Sequence, residues 1–152
     1  MRPVDKSKLV NTVTIYNLFR NPDTGELKYL KTFLRFVRIM QDLSSVNVGV
    51  DGWTRKTTVS LLIDRRNSQG YTGATIKPYI DSLEWGSLSD ADKAQQWTLQ
   101  EGDLVVNGEC PADLVPEQVS EFKALNRVWA IQYIHNAIDF DGSIHSRRVG
   151  FV

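Results

Sequence analysis

The chain has 152 residues, 18 lysines plus arginines against 18 aspartates plus glutamates, and 41% hydrophobic residues. One domain of that size buries a sizeable core, and 4 Trp, 5 Tyr and 6 Phe exclude a disordered chain. Zero net charge argues against a domain held on duplex DNA or an anionic membrane by its field, and the single cysteine, Cys110, against a disulfide framework or a thiolate zinc site.

The opening residues Met1-Arg2-Pro3-Val4-Asp5-Lys6-Ser7-Lys8 carry charge with no apolar run long enough for a signal peptide. No stretch reaches the ~20 apolar residues of a membrane span. The expectation is a soluble protein made in a reducing cytoplasm, with no membrane partner.

Thr12-Val13-Thr14-Ile15-Tyr16-Asn17-Leu18-Phe19 is β-branched and aromatic and reads as a strand. Asn21-Pro22-Asp23-Thr24-Gly25 joins a proline that presets φ to a glycine that tolerates φ > 0, which predicts a hairpin loop to a second strand over residues 26–39. Helix competes over 26–43, because Leu30, Phe33, Leu34, Val37 and Met40 also fall at helical spacing. Residues 42–56 read as a loop containing a short strand, with Val46, Val48 and Val50 on one parity.

Val59, Leu61 and Ile63 alternate with Thr58, Ser60 and Leu62 in a half-buried strand that ends at Arg65-Arg66-Asn67-Ser68. Gln69-Gly70-Tyr71-Thr72-Gly73-Ala74 then has two glycines and little to bury, so residues 65–79 are expected to form an exposed, mobile loop. A short helix is expected near Ser87-Leu88-Ser89-Asp90, with a serine N-cap, and another at Pro116. Between them, Trp97-Thr98-Leu99-Gln100 and Leu104-Val105-Val106 read as two strands around a Gly102-Asp103 turn. Trp129, Ile131, Tyr133 and His135 are expected on one face of a late strand, and Asp141-Gly142 turns it into a last strand ending near Val152. The inferred fold is all-β: a single domain over residues 1–152, a small antiparallel β-barrel or sandwich with one or two short helices.

Reaction chemistry is thinly represented. Cys110 with His135 or His145, oriented by Asp139, is the one arrangement resembling a nucleophilic site, and a lone cysteine is more simply a small buried apolar residue. His135 and His145 alone leave a zinc site half-built, and Gly70-Tyr71-Thr72-Gly73 lacks the Gly-Lys-Ser/Thr of a phosphate-binding loop. No enzyme activity, metal or cofactor is therefore expected. The basic doublets Arg65-Arg66 and Arg147-Arg148, with the spaced Arg35 and Arg38, are the remaining polar signal. They suit solvated strand ends or contacts to phosphates or acidic neighbours.

The strings Asn11-Thr12-Val13-Thr14-Ile15-Tyr16-Asn17, Trp97-Thr98-Leu99-Gln100-Glu101-Gly102-Asp103-Leu104-Val105-Val106-Asn107-Gly108 and Arg127-Val128-Trp129-Ala130-Ile131 resemble, in order and spacing, a family of small structural proteins of tailed phages and prophages. That resemblance implies a minor capsid or head-tail connector protein of the virion neck, similar to head-closure (stopper) proteins. Its partners would be further copies of itself in a ring, a portal or adaptor protein, a tail terminator or tail tube protein, and packaged DNA without sequence specificity. On the same analogy the segment carrying Arg65, Arg66, Gly70, Tyr71, Gly73 and Lys77 would face the channel or the next ring.

Overall fold

The computed structural model describes residues 5–47, 53–138 and 140–151. Among these residues eight strands carry the fold: β1 (Asn11–Arg20), β2 (Leu27–Asn47), β3 (Trp53–Asp64), β4 (Gln69–Thr72), β5 (Thr75–Lys77), β6 (Leu104–Asn107), β7 (Val128–Ile138) and β8 (Ile144–Phe151). Three short helices lie between them: α1 (Ser82–Ser87), α2 (Asp90–Ala94) and α3 (Val119–Leu125). The strands pair antiparallel in the order β1-β6-β7-β8-β3-β2, and β2 also pairs with β1. This circuit closes a six-stranded barrel, with β4 and β5 added to the outer edge of β2.

The segment with two competing readings is a strand, and a longer one than expected. β2 pairs with β1 up to Val37 and with β3 from Val37 to Asn47, so most of the expected loop over 42–56 is paired strand. Val48, Gly49 and Val50 lie outside the described residues. The change of partner happens at Phe36, which is skipped between the pairs Thr12–Arg35 and Asn11–Val37 and has φ +59°. A bulged residue reverses which parity faces inward. Thr32 and Leu34 are buried before it, and Val37 after it. Helical spacing on paper was the sum of two strand registers offset by one.

Inside the barrel, Val13, Ile15, Leu34, Leu61, Val105 and Val149 are fully buried, and Trp97 and Trp129 join them. A second cluster lies on the outer face of β1 and β6, where Tyr16, Leu104 and Val106 pack under Leu114 and Phe122. β1 is therefore covered on both faces, which is why Val13 to Asn17 are all buried. Burial, reinforced by Cys110 and by the Asp113 charge, raises the Tyr16 phenol well above its ordinary range, and its hydroxyl donates to the Ala112 carbonyl at 2.7 Å.

Two further expectations fail for definite reasons. Trp97 to Gln100 joins no ladder beyond a single bridge from Trp97 to Tyr79, because the Asn17 side chain takes the place of a partner strand. Its Nδ2 donates to the Thr98 carbonyl at 2.8 Å, and its Oδ1 accepts from the Thr98 N–H at 3.3 Å. In β7 a register shift between Ile131 and Tyr133 breaks the expected common face. Trp129 and Ile131 are buried and Ile134 packs on the core, whereas Tyr133 and His135 are exposed. The expected hairpin turn holds, with Gly142 at φ +83°.

α2 starts after Ser89, whose hydroxyl accepts from the Asp92 N–H, and the Pro116 segment opens a 3-10 turn that runs into α3. α1 was not anticipated. It is capped by Asp81 and anchored by Trp85, which is 1% exposed and meets Phe19 edge-on at 6.0 Å.

The Phe36 corner has its own support. Ser68 Oγ accepts from the Asp64 N–H at 2.9 Å and donates to the Phe36 carbonyl at 2.6 Å. Ser68→Ala leaves both backbone groups without that partner, and we expect a loss of about 1–2 kcal/mol in urea unfolding. An unchanged midpoint and slope would show that the corner holds without Ser68.

Candidate functional site

The segment 65–79, read as a mobile loop, is a folded hairpin. β4 pairs with β2 through Phe33–Tyr71, Leu34–Gly70 and Arg35–Gln69, and β5 returns along β4. Gly73 and Ala74 form its two-residue turn, with φ +57° at Gly73, the position where a primed hairpin turn demands glycine. Gly70 serves packing. A Cβ there would stand 2.5 Å from Trp97 Nε1, so its bare backbone is what lets the buried indole approach β4.

Lys77 is 3% exposed, and its Nζ donates to Thr32 Oγ1 at 2.7 Å and to the Lys31 carbonyl at 3.3 Å. It points into the protein and away from any phosphate. Burial lowers its pKa to about 8. Tyr71 lies under the Arg35 guanidinium, 4.6 Å from ring centroid to Cζ, and its hydroxyl bonds Gln69. Arg35 also pairs with Glu109 at 2.9 Å, so it is tied between two elements, while Arg38 is exposed.

Arg65 and Arg66 remain exposed, on a turn made by Asp64. Asp64 Oδ1 accepts from the N–H groups of Arg66 and Asn67, both at 2.9 Å, and from Asn67 Nδ2 at 3.1 Å. Beside this turn the Arg147 guanidinium lies 3.9 Å from the centroid of Tyr79, which meets Trp97 edge-on at 4.9 Å. Burial raises the Tyr79 hydroxyl pKa and the Arg147 charge opposes that shift. Ile63, Asp64, Arg65, Ser68, Tyr79, Trp97 and Arg147 together line a cavity of about 280 Å³. Arg65 and Arg147 were visible in sequence only as members of two separate doublets. Tyr79 and Trp97 carried no signal that joined them to either.

The nucleophilic arrangement is not assembled. Cys110 is half-buried against the second cluster, and its N–H donates to Thr14 Oγ1 at 2.8 Å. It follows β6, whose Val106 pairs with Val128, whereas His135 pairs with Arg148 seven residues further along β7, roughly 20 Å away. His145 does not pair with His135, its ring nitrogens have no hydrogen-bond partner among the described residues, and Asp139 lies outside them. No three His, Cys, Asp or Glu side chains among the described residues group as metal ligands.

Residues 9–150 match a family of unknown function, DUF6751, and the chain belongs to that family. No curated protein and no solved structure matches it.

The two glycines of the hairpin should respond differently to alanine. Gly70→Ala must displace a core indole and is expected to cost about 2–3 kcal/mol, whereas Gly73→Ala meets open space and loses only about 1 kcal/mol to its positive φ. Equal losses in chemical unfolding would remove the packing role of Gly70. Lys77 adds a pH dependence. Its folded pKa of about 8 lies below the ordinary 10.5, so between those values the unfolded chain holds more protons and stability rises with pH. Relative to Lys77→Met, the wild type should gain up to about 3 kcal/mol across that interval; a constant difference between the two proteins would contradict the assignment.

Proposed function

We propose that the chain is a structural subunit of a tailed-phage neck. In this reading it is a head-closure or head-tail connector protein that forms a homo-oligomeric ring in the virion, between the portal or its adaptor and the tail, and retains packaged DNA. The observation that carries the reading is the arm built by β2 and β3. From the pair Gln41–Val59 to the pair Asn47–Trp53 these strands pair with each other and with no third strand among the described residues. A two-stranded ribbon of that length, roughly 20 Å, is marginal in water by itself, and it gains a partner when subunits assemble. The resemblance of three sequence strings to neck proteins, the antiparallel barrel and the zero net charge suit a ring whose contacts are mostly with protein.

Asp42 and Thr58 are register partners, so residues 43–57 can be replaced by an Asn-Gly turn. The shortened chain should keep the barrel and its melting temperature, while particles of the encoding phage or prophage fail to join tails or lose DNA. The wild-type chain should be present in purified virions. Its absence from virions, or normal yields of tailed particles from the shortened chain, would rule the neck assignment out. Tails of uncontrolled length in the deletion would point to the alternative of a tail terminator.

A further inference from the structure

We infer that the cavity beside the β3–β4 turn is a docking pocket for a carboxylate side chain presented by a partner protein. Its walls are Tyr79, Trp97 and Ile63, and its charges are Arg65 and Arg147, with Asp64. Trp, Tyr and Arg are the residue types that anchor protein interfaces when they gather around a pocket. The Arg147 guanidinium carbon lies over the Tyr79 ring, 3.9 Å from its centroid, a cation–π contact that restrains the side chain before any ligand arrives, and its guanidinium supplies the N–H fork that suits a planar carboxylate. Neither Arg65 nor Arg147 forms an ion pair among the described residues. Asp64 is committed to its own turn through the three bonds to Oδ1, and Asp141 exerts only a field at Arg65.

Size and charge together choose the occupant. About 280 Å³ falls below the roughly 300–1,000 Å³ of small-molecule sites and suits one inserted side chain. A duplex backbone engages several cations at once, whereas the cavity itself is lined by two, Arg65 and Arg147, the latter set over an aromatic ring, on a chain of zero net charge. The pocket's chemistry is independent of which assembly the chain enters.

NMR of the full chain tests this through the Arg147 Nε–H and the Trp97 indole N–H. Titration with N-acetylglutamate amide should shift both resonances saturably, and N-acetylglutamine amide should not. Arg65→Gln, an exposed change that spares the core, and Arg147→Lys, which keeps charge but loses the stacked fork, should each weaken the response by about tenfold. Absence of a saturable shift, or equal shifts with the glutamine analogue, would overturn the assignment. So would stronger shifts with inorganic phosphate or a short DNA duplex, which would make this a phosphate site.

Discussion

A strand of 21 residues cannot lie flat against one neighbour in so small a barrel, and the corner at Phe36 is what allows β2 to serve three. On one edge β2 holds β1 throughout its first half; on the other it passes from β4 to β3 at the bulge. A left-handed φ at a bulky residue costs on the order of 1–3 kcal/mol, and it persists only where surrounding contacts over-determine it. Here they do. Ser68 bonds the Phe36 carbonyl, Asn11 Oδ1 accepts from the Ile39 N–H at 3.0 Å, and Lys6 lies 4.8 Å over the exposed ring.

The same corner connects the two features proposed to act. Past it, β2 stays in the barrel beside β3 as far as Met40 and then runs on as one side of the arm. The Ser68 that bonds the corner also lines the arginine and tyrosine cavity, so the turn that supports the bulge is the rim of the pocket. A strained, well-bonded backbone thus ties the rim of the pocket to the same strand that runs on into the extended ribbon. Rigid walls suit the pocket because an anchoring side chain then binds without ordering its host.

Buried polar groups hold the rest in register. Asp103 is 2% exposed, and burial pushes its pKa up to about 6, although Leu18 N–H, Asn17 Nδ2 and Gln100 Nε2 all donate to it. With Asn17 it ties the irregular stretch around Trp97 to β1, a task a backbone ladder performs elsewhere in the barrel. Such a network specifies one arrangement because every alternative strands a donor or a carboxylate away from water. Lys77 on β5 follows the same logic from the other sign of charge, with the Thr32 hydroxyl standing in for a counter-ion.

Alternation of β-branched and aromatic residues, the Asp141-Gly142 turn and a serine cap at Ser87 or Ser89 were legible in the sequence because period, turn chemistry and capping are local properties of the chain. They determined the all-β class, the antiparallel pairing of neighbours and the positions of α2 and α3. Bulges escaped it: at Phe36 and at Gln132 one extra residue swaps inward and outward faces, and only the partner strand reveals the swap. Composition also misled at 65–79, since a glycine beside Trp97 and a lysine beneath Thr32 look the same on paper as residues of a solvated loop. Closure of the barrel, the burial of Gly70 and Lys77, and the meeting of Arg65 with Tyr79, Trp97 and Arg147 were decided by tertiary structure, because each depends on segments far apart in the chain competing for one enclosed volume.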